Sequence, residues 1–420
     1  MGAYVITGGS KLSGKLKVQG SKNASLPIIA ATILNCNKSH IKNVPDIKDV
    51  HVMIDILTRL GADINFSGNE LTIDTSKVNS WEVPENLMRK MRSSIILMGS
   101  LLGRFGKAKV SYPGGCEIGP RPIDLHLKGF AALGVKIKES HGFIYAETEK
   151  LKGANIHLDF PSVGATENLM LAAVLAEGRT VIRNAAKEPE IVNLQNFLNK
   201  MGCRIKGAGT DTIKIEGCSI DDLKPIEDYT VIPDRIAAGT YLAATAATRG
   251  NIVLENVIIE HIEPVLAKLR EMGCSIKSKD DKVELWVDGP LKALDSLRTL
   301  PYPGFPTDMQ APMMALLSTA EGTSIITETV FENRFKHAEE LRRMGADIKI
   351  NGNTAIVKGV RKLTGAAVEA KDLRAGAALV IAGLAAEGKT VVEGISYIER
   401  GYERFAENLR TLGAKIENLD

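Results

Sequence analysis

A five-residue signature closes one helical pattern after another along this chain of 420 residues. It reads LGADI from Leu60, LGVKI from Leu133, MGCRI from Met201, MGCSI from Met272, MGADI from Met344 and LGAKI from Leu412. Its glycines (Gly61, Gly134, Gly202, Gly273, Gly345 and Gly413) are separated by 73, 68, 71, 72 and 68 residues. Six copies at a near-constant step are not chance, and they make the repeat unit the key to the fold. Each signature ends an amphipathic helix. In HIEPVLAKLREMG, for instance, Ile262, Val265, Leu266, Leu269 and Met272 share one face. The glycine permits a left-handed turn, and alternating strands such as DTIKI and DKVELWV follow.

A second helix of different character completes each copy: ASLPIIAATIL, SSIILMGSLLG, GATENLMLAAVLAEG, RIAAGTYLAATAATRG, DMQAPMMALLSTAEG and RAGAALVIAGLAAEG. These are apolar nearly all round and rich in small residues, so they belong in an interior. Six such units could stack as a solenoid, but buried helices favour closed bundles wrapped by sheets. The reading is α/β, with three units in each of two domains and a crossover near residues 221–234.

Bulk properties narrow the function. Apolar residues make up 44% and charged residues 25% of a chain with net charge +3, and no basic block stands out. A general nucleic-acid surface is therefore not indicated, and anion binding should be local. The first twenty residues lack the apolar core of a signal peptide, and no apolar run is long enough to span a membrane. Five scattered cysteines without a CxxC pair argue against a disulfide framework or a zinc site and for the reducing cytoplasm.

Chemistry-bearing residues gather just before the six apolar helices: GSKNAS (20–25), RKMRSS (89–94), DFPSVGAT (159–166), VIPDRI (231–236), GFPTDM (304–309) and KDLRAG (371–376). Helix capping accounts for many of them and, taken singly, for Asp234, Thr307 and Asp372. It does not account for Lys22, Arg92, Arg235 and Arg374, because cations at a helix N-terminus oppose the macrodipole. They make sense beside a strong anion. The small residues of SVGAT suit the same purpose, since a helix start can present bare N–H groups to a phosphate. Together these features imply a cleft between two three-unit domains that receives a multiply charged anion.

The stretch YPGGCEIGPRPID (112–124) interrupts the repeat. From Gly106 to Gly134 the connection runs 28 residues, against 23 to 25 in the equivalent connections of four other units. The insertion is glycine-rich, which suits a lid. Cys116 is either an idle surface thiol or, with Arg121 nearby to lower its pKa, a residue for thiolate or acid chemistry. Glu188 and Glu190 precede a helix, where acids are favoured anyway. Arg334 and Arg400 occupy equivalent connections and read singly as solvated arginines, and His126 and His337 read as structural. Walker, dinucleotide and metal-ligand patterns are absent from the sequence.

The set GSKNA, PGGCxIGxRPID, SVGAT, NAAxEPEI, PDRI, YPGFPTDMQ, FENRF, DLRA and RGYER, in this order from about residue 20 to 405, resembles the enolpyruvyl transferases. Among them it is most similar to the UDP-N-acetylglucosamine 1-carboxyvinyltransferase family. The resemblance implies a two-domain inside-out α/β barrel of six βαβαββ repeats, with domains at 22–229 and at 1–21 plus 230–420. It implies transfer of the enolpyruvyl group of phosphoenolpyruvate to the sugar 3′-hydroxyl, through a tetrahedral ketal, with release of phosphate. That is the first committed step of peptidoglycan synthesis, and so of cell-wall biogenesis, shape and division.

By the same resemblance Cys116 is the general acid, can trap phosphoenolpyruvate as an adduct and is the target of fosfomycin, while Asp308 is the base. Lys22, Arg121 and Arg400 hold phosphoenolpyruvate, Lys22 and Arg400 counting with Cys116 and Asp308 as catalytic, with Arg92 and Arg374 beside them. Asn23, the segment Arg121, Pro122, Ile123, Asp124 and Leu125, then Ser162, Val163, Gly164, Asp308 and Val330 bind the nucleotide sugar. Arg334 and Asp372 complete the substrate-binding set. Neither cofactor nor metal is implied. Phe160 departs from the pattern, standing where some relatives carry a lysine that touches the diphosphate. The nearest alternatives are a 5-enolpyruvylshikimate-3-phosphate synthase and a catalytically silent nucleotide-sugar-binding member of the fold.

Overall fold

The left-handed turns required by the signature are present: Gly61, Gly134, Gly202, Gly273, Gly345 and Gly413 have φ of +110, +88, +114, +100, +91 and +94°. The computed structural model describes residues 2–112, 114 and 123–419. They form two compact units, one of residues 2–19 and 233–419 and one of residues 20–112, 114 and 123–232.

In the unit of residues 20–232, one sheet runs Ile226–Thr230, Lys38–Lys42, Glu70–Asp74, Asp63–Ser67. A second runs Asn155–His157, Arg179–Arg183, Thr212–Glu216, Arg204–Lys206. Both follow one scheme: an outer strand parallel to its neighbour, then two antiparallel pairings, with Ile182 opposite Ile156 on one side and Ile213 on the other. The third sheet, Lys107–Ser111, Phe143–Glu147 and Lys136–Ser140, has a single parallel bridge, Glu82 to Lys109, in the outer position.

The unit of residues 233–419 repeats the scheme three times, and the N-terminal segment completes two of its sheets. Ser13–Lys17 pairs in parallel with Asn251–Glu255, and Ala3–Thr7 lies between Lys389–Glu393 and Lys415–Leu419.

Burial alternates along the strands, as in Thr323–Thr327, so each sheet turns one face inward and one outward. The inward faces cover the apolar helices. Lys22–Ala31, Leu97–Phe105 and Val163–Ala173 belong to one unit, and Arg235–Ala247, Gln310–Leu317 and Leu373–Ala385 to the other. Their sequences predict burial all round, and most of their residues are buried. The fold is therefore α/β and inside-out, with helices within and sheets without. Close helix approach explains the small residues: a Cβ on Gly99 would lie 2.2 Å from the Asn168 carbonyl oxygen of the facing helix. One expectation is corrected locally. The run from Ser93 does not form one helix but a 3-10 segment, Arg92–Ile96, followed by Leu97–Phe105.

No helix among the described residues is long and apolar enough to cross a membrane.

Candidate active site

Asp308 sits in a 3-10 turn, Thr307–Met309, that leads into the helix Gln310–Leu317. Its Oδ1 accepts from Arg334 Nη2 at 2.6 Å, and its Oδ2 accepts from Arg374 Nη2 and Nε at 3.0 and 3.1 Å. Burial alone would raise the carboxyl pKa. The Arg374 and Arg334 guanidiniums outweigh it and hold Asp308 well below the usual carboxylate range. Arg374 lies over the Tyr402 ring at 5.2 Å, and the Tyr402 hydroxyl meets Thr240 Oγ1 at 2.9 Å. Arg374 Nη1 is buried and makes no hydrogen bond to a described residue.

A buried carboxylate that the sequence did not single out organises the connection around Arg334. Glu328, 2% exposed, accepts from the Val330 and Phe331 amides at 2.8 and 3.1 Å and from the Thr299 and Thr307 hydroxyls at 2.8 Å each. Thr307 Oγ1 also accepts from Arg334 Nη1 at 2.7 Å. Thr307 is thus not a helix cap, as its position before a helix predicts, but a link between Glu328 and Arg334. The capping reading holds for Asp234, which accepts from Ile236 and Ala237 N, and for Asp372, which accepts from Arg374 and Ala375 N. Arg400 ends the 3-10 segment Ile395–Arg400, two residues before Tyr402. Arg235 stands over the Tyr302 ring at 5.7 Å. His337, beside Arg334 and Asp372, is buried with its pKa lowered to about 4, chiefly by desolvation.

The unit of residues 20–232 carries a second group. Lys22 opens the helix Lys22–Ala31, capped by Ser21, and its Nζ lies 2.6 Å from Asp49 Oδ2; both side chains are buried. Asn23 is the next, half-buried residue. The strong anions expected beside the helix-start cations are in two cases the protein's own: Asp49 for Lys22 and Asp308 for Arg374.

His126 connects the other predicted segments. Its Nδ1 lies 2.9 Å from Asn168 Nδ2, and Asn168 in turn donates to Ile95 O and accepts from Gly99 N. Burial, with Arg92 adding to it, lowers the His126 pKa to about 4, so its ring is neutral near pH 7. A Cβ on Gly164 would meet that ring at 3.4 Å. Ser162 caps the helix Val163–Ala173 by accepting from Ala165 N at 3.3 Å. The histidine thus gathers Arg92, the Ile123–Asp124–Leu125 segment and Ser162–Val163–Gly164 around one buried ring. Deeper along the helix, buried Glu167 has its pKa raised by desolvation and by Glu190 and Glu188. Cys116, Arg121 and Pro122 lie outside the described residues.

Residues 6–409 match the family described as EPSP synthase (3-phosphoshikimate 1-carboxyvinyltransferase). The chain is 57% identical, over 100% of both chains, to UDP-N-acetylglucosamine 1-carboxyvinyltransferase 2 of Caldanaerobacter subterraneus subsp. tengcongensis. The chain belongs to the UDP-N-acetylglucosamine 1-carboxyvinyltransferase family. It is equally similar, 57% over 99% of this chain and 95% of the other, to UDP-N-acetylglucosamine 1-carboxyvinyltransferase 1 of Symbiobacterium thermophilum. The enolpyruvyl transferase NikO from Streptomyces tendae superposes with a TM-score of 0.90 at 26% identity, covering 99% of this chain and 98% of that one. An EPSP synthase structure from Acinetobacter baumannii shares the fold, with a TM-score of 0.75 at 19% identity and full coverage of both chains.

Membership of the carboxyvinyltransferase family agrees with the sequence resemblance. The arrangement of Asp308, Arg334 and Arg374 comes from three of its motifs, PTDM, FENRF and DLRA. What sequence reasoning missed are the partners: Asp49, Glu328, Asn168 and Tyr402. Of these only Tyr402 had a signal, its place inside RGYER. Among the described residues no group of three or more His, Cys, Asp or Glu side chains is arranged to hold a metal ion.

Proposed function

We propose that the protein transfers the enolpyruvyl group of phosphoenolpyruvate to the 3′-hydroxyl of UDP-N-acetylglucosamine and releases phosphate, in cytoplasmic peptidoglycan precursor synthesis. The full-length 57% identity to a UDP-N-acetylglucosamine 1-carboxyvinyltransferase carries this reading. The chemistry follows in three movements. A proton delivered to the enol methylene makes the adjacent carbon electrophilic, with Cys116 as the acid. The sugar hydroxyl, losing its proton to Asp308, adds to that carbon and gives a ketal. Loss of phosphate then restores the vinyl ether.

The ion pairs of Asp308 set a condition on its role. A carboxylate shared by two guanidiniums is a poor base, because protonating it discards both attractions. In the reading proposed here, Arg374 is drawn toward the phosphate or carboxylate of phosphoenolpyruvate, for which its unused Nη1 is suited. That movement raises the basicity of Asp308 as substrate arrives. Lys22, Arg92, Arg121 and Arg400 add positive charge, Asp372 fixes the helix start beneath Arg374, and Asn23, residues 121–125, Ser162, Val163, Gly164, Val330 and Arg334 hold the nucleotide sugar.

Phosphate release from phosphoenolpyruvate tests the proposal, with UDP-N-acetylglucosamine in one tube and shikimate 3-phosphate in another. Release with the nucleotide sugar alone is expected. Release only with shikimate 3-phosphate transfers the protein to the other acceptor, and release with neither removes the enzyme assignment.

A further inference from the structure

Two of the five cysteines, at either end of one β-hairpin and outside the proposed chemistry, meet at the edge of one sheet. Cys203 directly precedes the strand Arg204–Lys206, and Cys218 lies two residues beyond the strand Thr212–Glu216, after Gly217. The strands are antiparallel with Arg204 opposite Glu216, so the register sets Cys203 across from Gly217 and next to Cys218. Cys203 belongs to the apolar core against which Cys218 packs, and each thiol is the largest influence on the titration of the other. Cys218 is anchored on its other side: its amide donates to Val174 O at 2.9 Å, and its thiol donates to the same carbonyl at 3.3 Å. Cys203 is buried and Cys218 half-buried, and both are free thiols.

We propose that Cys203 and Cys218 form a dithiol–disulfide couple, oxidised by peroxide-class oxidants and restored by thiols. Cys218 is the residue oxidised first, being the more accessible. Its pKa is lowered by the neighbouring Cys203 thiol, with Arg204 adding a smaller effect against burial and Asp222, whereas the Cys218 thiol and burial raise Cys203. The Cys218 thiolate attacks a peroxide oxygen, the O–O bond breaks, and one hydroxide leaves as water, giving a sulfenic acid. Cys203 sulfur then attacks Cys218 sulfur, the S–O bond breaks, and the departing hydroxide takes the Cys203 proton. One peroxide is reduced to two waters while two thiols become one disulfide. The new bond would tie the end of the helix Pro189–Met201 to the end of the helix Val163–Ala173, whose other end carries Ser162 and Gly164.

The test oxidises the full-length chain with hydrogen peroxide near pH 7.5 and maps peptides without reduction. A linked pair containing Cys203 and Cys218, about tenfold more abundant than any other cysteine pairing and abolished by dithiothreitol, is expected. In Cys203→Ser, dimedone should label Cys218 as a trapped sulfenic acid; in Cys218→Ser, Cys203 should stay unlabelled. A Cys203–Cys218 link no commoner than other pairings overturns the proposal. Labelling of Cys203 in the Cys218→Ser chain overturns the order of attack. The native-chain map stands even if a variant fails to fold.

Discussion

Arg374 reaches Asp308 through two nitrogens onto one oxygen, Oδ2, at 3.0 and 3.1 Å, which leaves Oδ1 to Arg334. The carboxylate is therefore saturated with positive charge on both sides before any substrate is considered, and its pKa lies well below the ordinary range. The acidic limb of a kcat/KM profile should accordingly not report Asp308 near pH 4. Removing one cation by Arg334→Ala should raise the Asp308 pKa and move that limb to higher pH, because a carboxylate with fewer positive neighbours takes up its proton sooner. Asp308→Asn should lower kcat by at least about a hundredfold, the usual worth of a positioned base. Activity of the Asn variant within a few-fold of the native chain would remove Asp308 from the base role.

Glu328 offers a separable effect. It accepts from four donors and touches none of the proposed reacting groups, so Glu328→Ala should act through Val330 and Arg334. The expected result is a KM for the nucleotide sugar raised more than kcat is lowered, with stability reduced by about 1–3 kcal/mol for the stranded donors. Glu328→Gln keeps acceptor capacity and should recover most of both. A fall in kcat alone would contradict a positioning role.

Much of this architecture is legible in the sequence, for a specific reason. Each signature glycine answers a backbone demand, a positive φ that other residues adopt only with strain, so it marks its place without reference to the rest of the chain. The apolar helices are equally readable, since their few polar residues do not form a continuous face that could meet water. Partners were not legible. Asp308 and Arg374 are 66 residues apart in sequence, and Lys22 and Asp49 are 27 apart, and no local pattern couples them. Glu328 ends the strand-like run TSIITE, where an acid reads as solvated, and its burial depends on Thr299, Thr307 and the turn at Val330. Thr307 was misread because a hydroxyl before a helix usually caps it, whereas here the turn starts at Pro306 and the hydroxyl points sideways.

The Lys22–Asp49 pair predicts a non-additive stability cycle. Lys22→Met deprives a carboxylate that is 1% exposed of its lysine at 2.6 Å, and breaking a buried pair from one side costs about 3–5 kcal/mol. Adding Asp49→Asn should restore part of the loss, because the charge left behind is then removed. Denaturant midpoints of the two singles and the double measure the coupling. Additive losses would mean that Lys22 matters only for binding anions.

His126 and His337 should make the protein acid-sensitive. Both folded pKa values lie at about 4, below the unfolded value near 6.5, so between these limits the unfolded chain binds more protons. Stability from each ring is present above pH 6.5 and is lost as the pH falls toward 4. The slope is at most about 1.4 kcal/mol per pH unit for each histidine. Glu167, whose pKa is raised, works in the opposite direction, so the clean measurement is the difference between the native chain and His126→Gln across pH 5 to 7. That difference should shrink as the pH falls, and a constant difference would mean that His126 takes up its proton in the fold as it does in the unfolded chain.

Phe160 predicts a gain of affinity. Its side chain is 41% exposed, and its carbonyl accepts from Ser162 N at 2.7 Å, so the backbone that leads into Ser162–Val163–Gly164 does not depend on the ring. Phe160→Lys should therefore fold as the native chain does. If that segment holds the nucleotide, the added ammonium lies close to the diphosphate, and an exposed charge–charge contact of this kind is worth up to about 1 kcal/mol. The KM for UDP-N-acetylglucosamine should fall about three- to fivefold at low salt and return toward the native value as salt screens the contact, with the KM for phosphoenolpyruvate unchanged. A change confined to phosphoenolpyruvate would put the diphosphate elsewhere and reassign the Ser162 segment to the smaller substrate.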